Sequence, residues 1–189
     1  ASYCITSSNL KNDLPKGCIP LIVDNVLVST SIVTEKFYPE VASGAHAFCH
    51  ALPKLWHQMG VTLSATDSLN WLSEITGTSV VSLANSAANV NVENSTLLFH
   101  PYLSGERTPH NDSKARGGFF GLSRSHGRAD MAYSVFEGIT YALADCLDVI
   151  SKSDQKPKTL LAVGGGASNF YWLQQIAACT GVPVSLPKE

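Results

Sequence analysis

The chain has 189 residues, 44% of them hydrophobic and 15% charged, with a formal net charge of -2. That is one soluble globular domain, or a domain with ragged ends, and ample for a core. The near-neutral balance excludes the electrostatic footprint of a nucleic-acid or anionic-membrane binder, and no apolar run approaches a membrane span.

The opening residues carry no initiator Met and no secretory pattern, which reads as a processed or truncated N-terminus. Residues 19 to 34 (IPLIVDNVLVSTSIVT) are rich in β-branched side chains and predict a hairpin about Asp24 and Asn25. In "HAFCH", the spacing of His46, Cys49 and His50 allows one helical face and a metal, but no fourth ligand follows, so a structural cluster is favoured. A helix is predicted from Ser64 to Thr76, with Leu69 and Leu72 inward and Gly77 as its stop.

"STLLFHPYL" (95 to 103) and "GGFFGL" (117 to 122) read as short strands. Between them, Ser104 lacks the flanking glycine of a nucleophile elbow. Glu106 and Arg107 read as a loop ion pair in preference to an acid-base pair. From Ala129 to Ile150, Met131, Val135, Ile139, Ala142, Cys146 and Val149 form one apolar stripe at helical spacing. Asp130 suits that helix's positive end, and Glu137 is either a solvated face residue or an anchor for a neighbouring loop.

"TLLAV" (159 to 163) predicts a buried strand, followed by Gly164, Gly165 and Gly166. Trp172, Ile176 and Cys179 then recur at near-helical spacing, capped by Ser168 or Asn169 and stopped by Gly181. The five scattered cysteines suit a reducing, cytoplasmic compartment, with Cys146 and Cys179 as small core residues; sequons at Asn94 and Asn111 would matter only in a secreted chain. Strands alternating with helices give an α/β class.

Three glycines between a strand and a helix let a backbone approach a flat or phosphorylated ligand, and the helix start adds N–H donors. Position 169 is Asn, so this is no dinucleotide fingerprint, and no Gly-Lys-Ser/Thr follows to make a Walker loop. Close helix–strand packing explains the glycines equally well. From the residues alone, the reading is a nucleotide-binding α/β domain.

Four stretches in order say more: "HAFCHALPKLWHQMGVTLSA" (46 to 65), "PYLSGERTPHNDSKARGGFFGL" (101 to 122), "HGRADMAYSVFEGITYALADCLDVI" (126 to 150) and "VGGGASNFYWLQQIAACTGVPV" (163 to 184). Together they resemble the C-terminal domain of FGGY carbohydrate kinases, and within that family the xylulokinase subgroup. The resemblance runs over about residues 28 to 188 and implies an actin-like, ribonuclease-H-like ATPase fold, truncated at both ends. Residues 1–27 stay unassigned, and 28–189 form the ATP-side domain without its final helix.

In that family two domains close over sugar and ATP. The resemblance places Gly164, Gly165, Gly166 and Ala167 against adenosine, Thr66 and Asn70 at a second adenosine-side position, and Thr30 near the phosphates. It implies ATP with Mg²⁺ in the complete enzyme, a ketopentose only with the N-terminal domain, a homodimer as the assembly considered, and no nucleic-acid or membrane partner. The helix beginning near Asp130 packs beneath the site and does no chemistry.

Departures accompany the match. Ser29 and Ile32 stand where the family has glycines around Thr30, which crowds a phosphate loop. Residues 1–27 do not resemble the family's segment bearing the general-base Asp, so neither Asp13 nor Asp24 is given that role, and no catalytic or metal-binding residue is assigned. The leading expectation is the nucleotide-binding domain of an ATP-dependent sugar kinase, acting on D-xylulose in the complete enzyme. The alternatives are a non-catalytic remnant binding nucleotide weakly or a partner chain, and a dinucleotide redox enzyme, which the missing third glycine disfavours.

Overall fold

In the computed structural model, residues 18–23, 28–91, 95–152 and 157–187 are described. The predicted hairpin is present as β1 (Cys18–Val23) and β2 (Val28–Thr34), antiparallel with Leu21 opposite Thr30. The turn itself, at 24–27, lies outside the described residues, as do 1–17 and the sequon at Asn94. β1 stands in the middle of the sheet, so residues 18–23, outside the 28–189 stretch assigned to the ATP-side domain, supply a central strand.

The sheet has six strands in the order β3-β4-β2-β1-β7-β8. β3 (His46–Cys49) and β4 (Trp56–Thr62) form an antiparallel pair, and β4 continues onto β2 through seven residue pairs from Val28↔Thr62 to Thr34↔Trp56. β7 (Thr159–Val163) lies parallel to β1, and β8 (Val184–Ser185) parallel to β7. Because β2 opposes both β1 and β4, the strands β1, β4 and β7 share one direction and end at one edge. That edge carries the site.

The "HAFCH" stretch is therefore a strand, not a helix. Side chains alternate across it, so His46 and Phe48 share a face and stack at 5.4 Å while Cys49 points away. Among the described residues no three His, Cys, Asp or Glu side chains gather at metal-binding distance.

α1 (Ala65–Thr76) follows β4 and ends at Gly77 as expected. A second helix, α2 (Val80–Ala87), is capped by Ser79, whose hydroxyl accepts from the Ser82 amide at 3.2 Å. β5 (Leu98–His100) and β6 (Gly118–Phe120) pair antiparallel as a separate two-stranded ribbon, with His100 opposite Gly118.

α3 (Arg128–Ser151) organises the core. Its predicted stripe is buried from Val135 to Val149, with Val135, Ile139 and Cys146 at 0% exposure and Met131 half-buried at its start; each large apolar side chain so buried contributes roughly 2 kcal/mol. Asp130 closes its start by accepting from the Gly127 amide at 2.7 Å. The helix lies very close to its neighbours. A Cβ on Gly138 would stand 2.2 Å from the Phe99 carbonyl oxygen, and one on Gly60 of β4 would stand 2.9 Å from Cys146 Cβ.

α4 (Phe170–Thr180) packs on α3 through Trp172, whose indole N–H donates to Thr140 Oγ1 at 3.1 Å and whose ring meets Phe136 edge-on. Of the predicted α4 core residues, Trp172 and Ile176 are buried, but Cys179 is exposed. Among the described residues no helix is long and apolar enough to cross a membrane.

Candidate nucleotide-side site

The chain leaves β7 through Gly164, whose backbone sits at φ 91° and ψ -177°. That combination is open essentially to glycine alone, since any Cβ would crowd the preceding residue's carbonyl there. Residues Gly165–Ser168 then make one 3₁₀ turn, with the Ala167 amide bonded to Gly164 O and the Ser168 hydroxyl to Gly165 O at 2.8 Å. Gly164 and Gly165 are exposed, Gly166 is half-buried and Ala167 is buried. The turn thus offers a bare strip of backbone with a packed base.

Asn169 caps the helix that follows, its Oδ1 accepting from the Trp172 amide at 3.2 Å. Of the two caps considered from sequence, Asn169 is the one used. Ser168 instead folds back onto the turn.

On the same edge, three strand spacings away, or about 14 Å at ordinary sheet spacing, α1 begins just beyond the end of β4. Thr66 and Asn70 stand one helical turn apart on one face, Thr66 half-buried and Asn70 exposed, while Ala65, Leu69 and Leu72 point into the core. The sheet brings these two residues and the glycine turn to opposite ends of one open edge.

Thr30 is placed differently. It lies mid-strand in β2, opposite Leu21 on one side and Gly60 on the other, and is 1% exposed. Its Oγ1 is buried without a hydrogen-bond partner. The β2 ladder runs straight through this position, and Thr30 lies inside the sheet, two residues short of the edge.

Glu106 is the part of this edge that sequence reasoning misread. It makes no ion pair with Arg107. Its carboxylate accepts from Thr62 Oγ1 at 2.7 Å, from the Leu63 amide at 3.1 Å and from the Arg107 amide at 2.7 Å. Burial, opposed by these bonds, holds its carboxyl above the ordinary range. The Ser64 hydroxyl accepts from the Ser104 amide at 3.1 Å, so the same loop is pinned twice to the start of α1. The signal available was "SGER" itself, in which a lone acid follows a glycine in a loop. Glu137 likewise anchors no loop: it accepts from Tyr133 on its own helix at 3.0 Å.

The model of the FGGY family of carbohydrate kinases, C-terminal domain, matches residues 28–189. The chain belongs to the FGGY family of carbohydrate kinases. It is 45% identical over 150 residues to the xylulose kinase of Escherichia coli (strain K12), covering 79% of this chain and 31% of that protein. It is 28% identical over 203 residues to the gluconokinase of Bacillus subtilis (strain 168), covering 100% of this chain and 39% of that protein. Among solved structures, a xyloylose kinase from Brucella ovis superposes with a TM-score of 0.86 at 40% identity, covering 92% of this chain and 36% of the other. This C-terminal FGGY domain has the actin-like, ribonuclease-H-like α/β fold of those kinases, and it spans about a third of the length of the relatives it matches.

Proposed function

We propose that this FGGY domain forms the adenosine side of an ATP-dependent sugar kinase whose complete enzyme phosphorylates D-xylulose. The observation that carries the reading is the glycine turn, with Gly164 and Gly165 exposed, at the strand-end edge of a domain matched over residues 28–189 to carbohydrate kinases. A flat purine with its ribose can lie against such a strip without meeting a Cβ, while the buried Ala167 and the Asn169 cap hold the strip rigid. Thr66 and Asn70 would face the nucleotide from the α1 end. The xylulose kinase relatives support the ketopentose, and the cytoplasm is the compartment proposed.

ATP brings Mg²⁺ to such reactions, where the ion neutralises charge developing on the γ-phosphoryl group. The described residues supply no cluster of three ligands for it, so no step through the metal is assigned to this chain. Its own residues bind and orient the nucleoside. Attack by the sugar hydroxyl is assigned to groups elsewhere in the complete enzyme.

The test is a coupled ADP-release assay of the complete enzyme with xylulose, ribulose, glycerol and gluconate. The reading expects the highest kcat/KM with xylulose. Preference for gluconate or glycerol overturns the substrate, and no ATP-dependent turnover with any of the four overturns the activity.

A further inference from the structure

A groove of about 460 Å³ opens beside β3, between the residues around 37–47 and the loop carrying Arg107 and Asn111. It stands at the other end of the sheet from the glycine turn: β3 is four strand spacings from β7, or about 19 Å. Its walls are unlike in character. Phe37 and Val41, 50% and 78% exposed, give an apolar side, and His46 and Arg107 give a polar one. No carboxylate lines it.

The charge on Arg107 is the unusual feature. Its Nη1 meets His46 Nε2 at 3.3 Å. Arginine only donates, so in that contact Nε2 is the acceptor. That bond orients the guanidinium without compensating it. Of the acids beside Arg107 in sequence, Glu106 accepts from Thr62, Leu63 and the Arg107 amide, and Asp112 Oδ1 accepts from the Lys114 amide at 2.7 Å. Among the described residues the guanidinium has no carboxylate partner. A half-buried cation on a cavity wall with no carboxylate bonded to it is open to an anion, and arginine's planar fork matches carboxylate and phosphate.

The groove is also held in shape. Thr108 Oγ1 donates to Gly44 O at 3.2 Å, joining its two sides. Gly44 itself is left-handed at φ 66°, and a Cβ there would stand 2.9 Å from Arg107 O. His46 stacks on Phe48, and Phe37 packs on Trp56 with ring centres 4.5 Å apart.

We infer that this groove binds a small organic anion, a carboxylate or phosphate on an apolar or ring-shaped body, with the anion on Arg107 and the body against Phe37 and Val41. The site is separate from the nucleotide-side turn, and it stands whether or not the proposed kinase reading does.

Calorimetric titration of the 189-residue chain with phenyl phosphate, benzoate, inorganic phosphate and phenol tests this, together with amide NMR shifts. Phenyl phosphate or benzoate should bind one to one, with shifts at Gly44, Ala45, Ala47 and Asn111. Whichever of the two binds tighter assigns phosphate or carboxylate. Phenol and inorganic phosphate should each bind at least about tenfold weaker, and Arg107→Gln should weaken the aryl anion by about tenfold or more. Val41→Asp, at an exposed position that folding does not need, should weaken it as well by placing a like charge on the wall. The inference is overturned if neither aryl anion binds up to about 10 mM. It is equally overturned if the shifts centre on Gly164–Ala167, or if both variants bind as the parent does.

Discussion

Thr62 Oγ1 donates to the Glu106 carboxylate at 2.7 Å, and this bond joins the loop after β5 to the last residue of β4. Burial raises the Glu106 pKa and its bonds only partly offset that, so the folded chain holds this proton more tightly than the unfolded one. The stability it contributes is full below the ordinary value of 4.5 and is lost as pH rises through the raised folded value. Glu106→Gln keeps an oxygen for the two amides and lets Thr62 accept, so it should flatten that fall while melting close to the parent. Glu106→Leu strands those donors and should cost about 1–3 kcal/mol. Thermal melts of the three proteins between about pH 4 and about pH 8 decide. Equal pH slopes in parent and Gln variant would show that Glu106 does not titrate this way.

Thr30 gives the opposite expectation. Its hydroxyl is buried and unpaired, so it carries a desolvation cost with no bond to offset it. Thr30→Val should therefore leave the melting temperature unchanged or raise it by an amount worth up to about 2 kcal/mol. Nucleotide affinity of this chain should not change. A marked loss of ATP affinity on this substitution would put Thr30 back beside the phosphates.

Much of this fold was legible because its signals were local. The stripe from Met131 to Val149, the stop at Gly77 and the run at 159–163 each encode one element by periodicity or by a breaker. What was not legible depends on partners distant in sequence. "HAFCH" has helical spacing, yet β4 offers it an edge to pair with, and pairing wins. Glu106 beside Arg107 suggests an ion pair, but the donors at Thr62 and Leu63, more than forty residues earlier, arrive only through the sheet. The burial of Thr30 likewise depends on partners that β1 and β4 bring from either side of β2. The α2 helix was missed because its alanines, serines and valines carry little periodic contrast.

Gly138 tests how tightly α3 is seated. A methyl there would lie 2.2 Å from Phe99 O, and backbone on both sides leaves no flexible side chain to give way. Gly138→Ala should lower stability by about 1–3 kcal/mol despite alanine's better helix propensity. Chemical denaturation measures it, and a variant as stable as the parent would mean that β5 moves freely.

Two glycines of the turn should separate folding from binding. Gly164 is held at φ 91°, so Gly164→Ala should cost about 1–3 kcal/mol of stability. Gly166→Val should leave the melt largely intact and weaken nucleotide binding, because its branched side chain enters the proposed adenosine space. Calorimetric titration and melting of both variants check the pair. Unchanged affinity with a collapsed melt for Gly166→Val would mean that the glycines serve helix–strand packing alone.

The last expectation concerns which part of the nucleotide this chain feels. The glycine turn, with Gly164 and Gly165 exposed, suits a base and ribose, which gain stacking and hydrogen bonds there. The phosphate side is poorer: Thr30 is inside the sheet, and no lysine directly follows the glycine turn. One open edge also leaves much of the ligand in water, so the entropy of ordering it is weakly offset, and millimolar affinity, about -4 kcal/mol, follows. ATP, ADP, AMP and adenosine should bind within a few-fold of one another, and added Mg²⁺ should change little. Titration of the four ligands into the purified chain measures this directly. ATP binding a hundredfold tighter than adenosine, a difference of roughly 2.7 kcal/mol, would reveal a working phosphate site and defeat the argument.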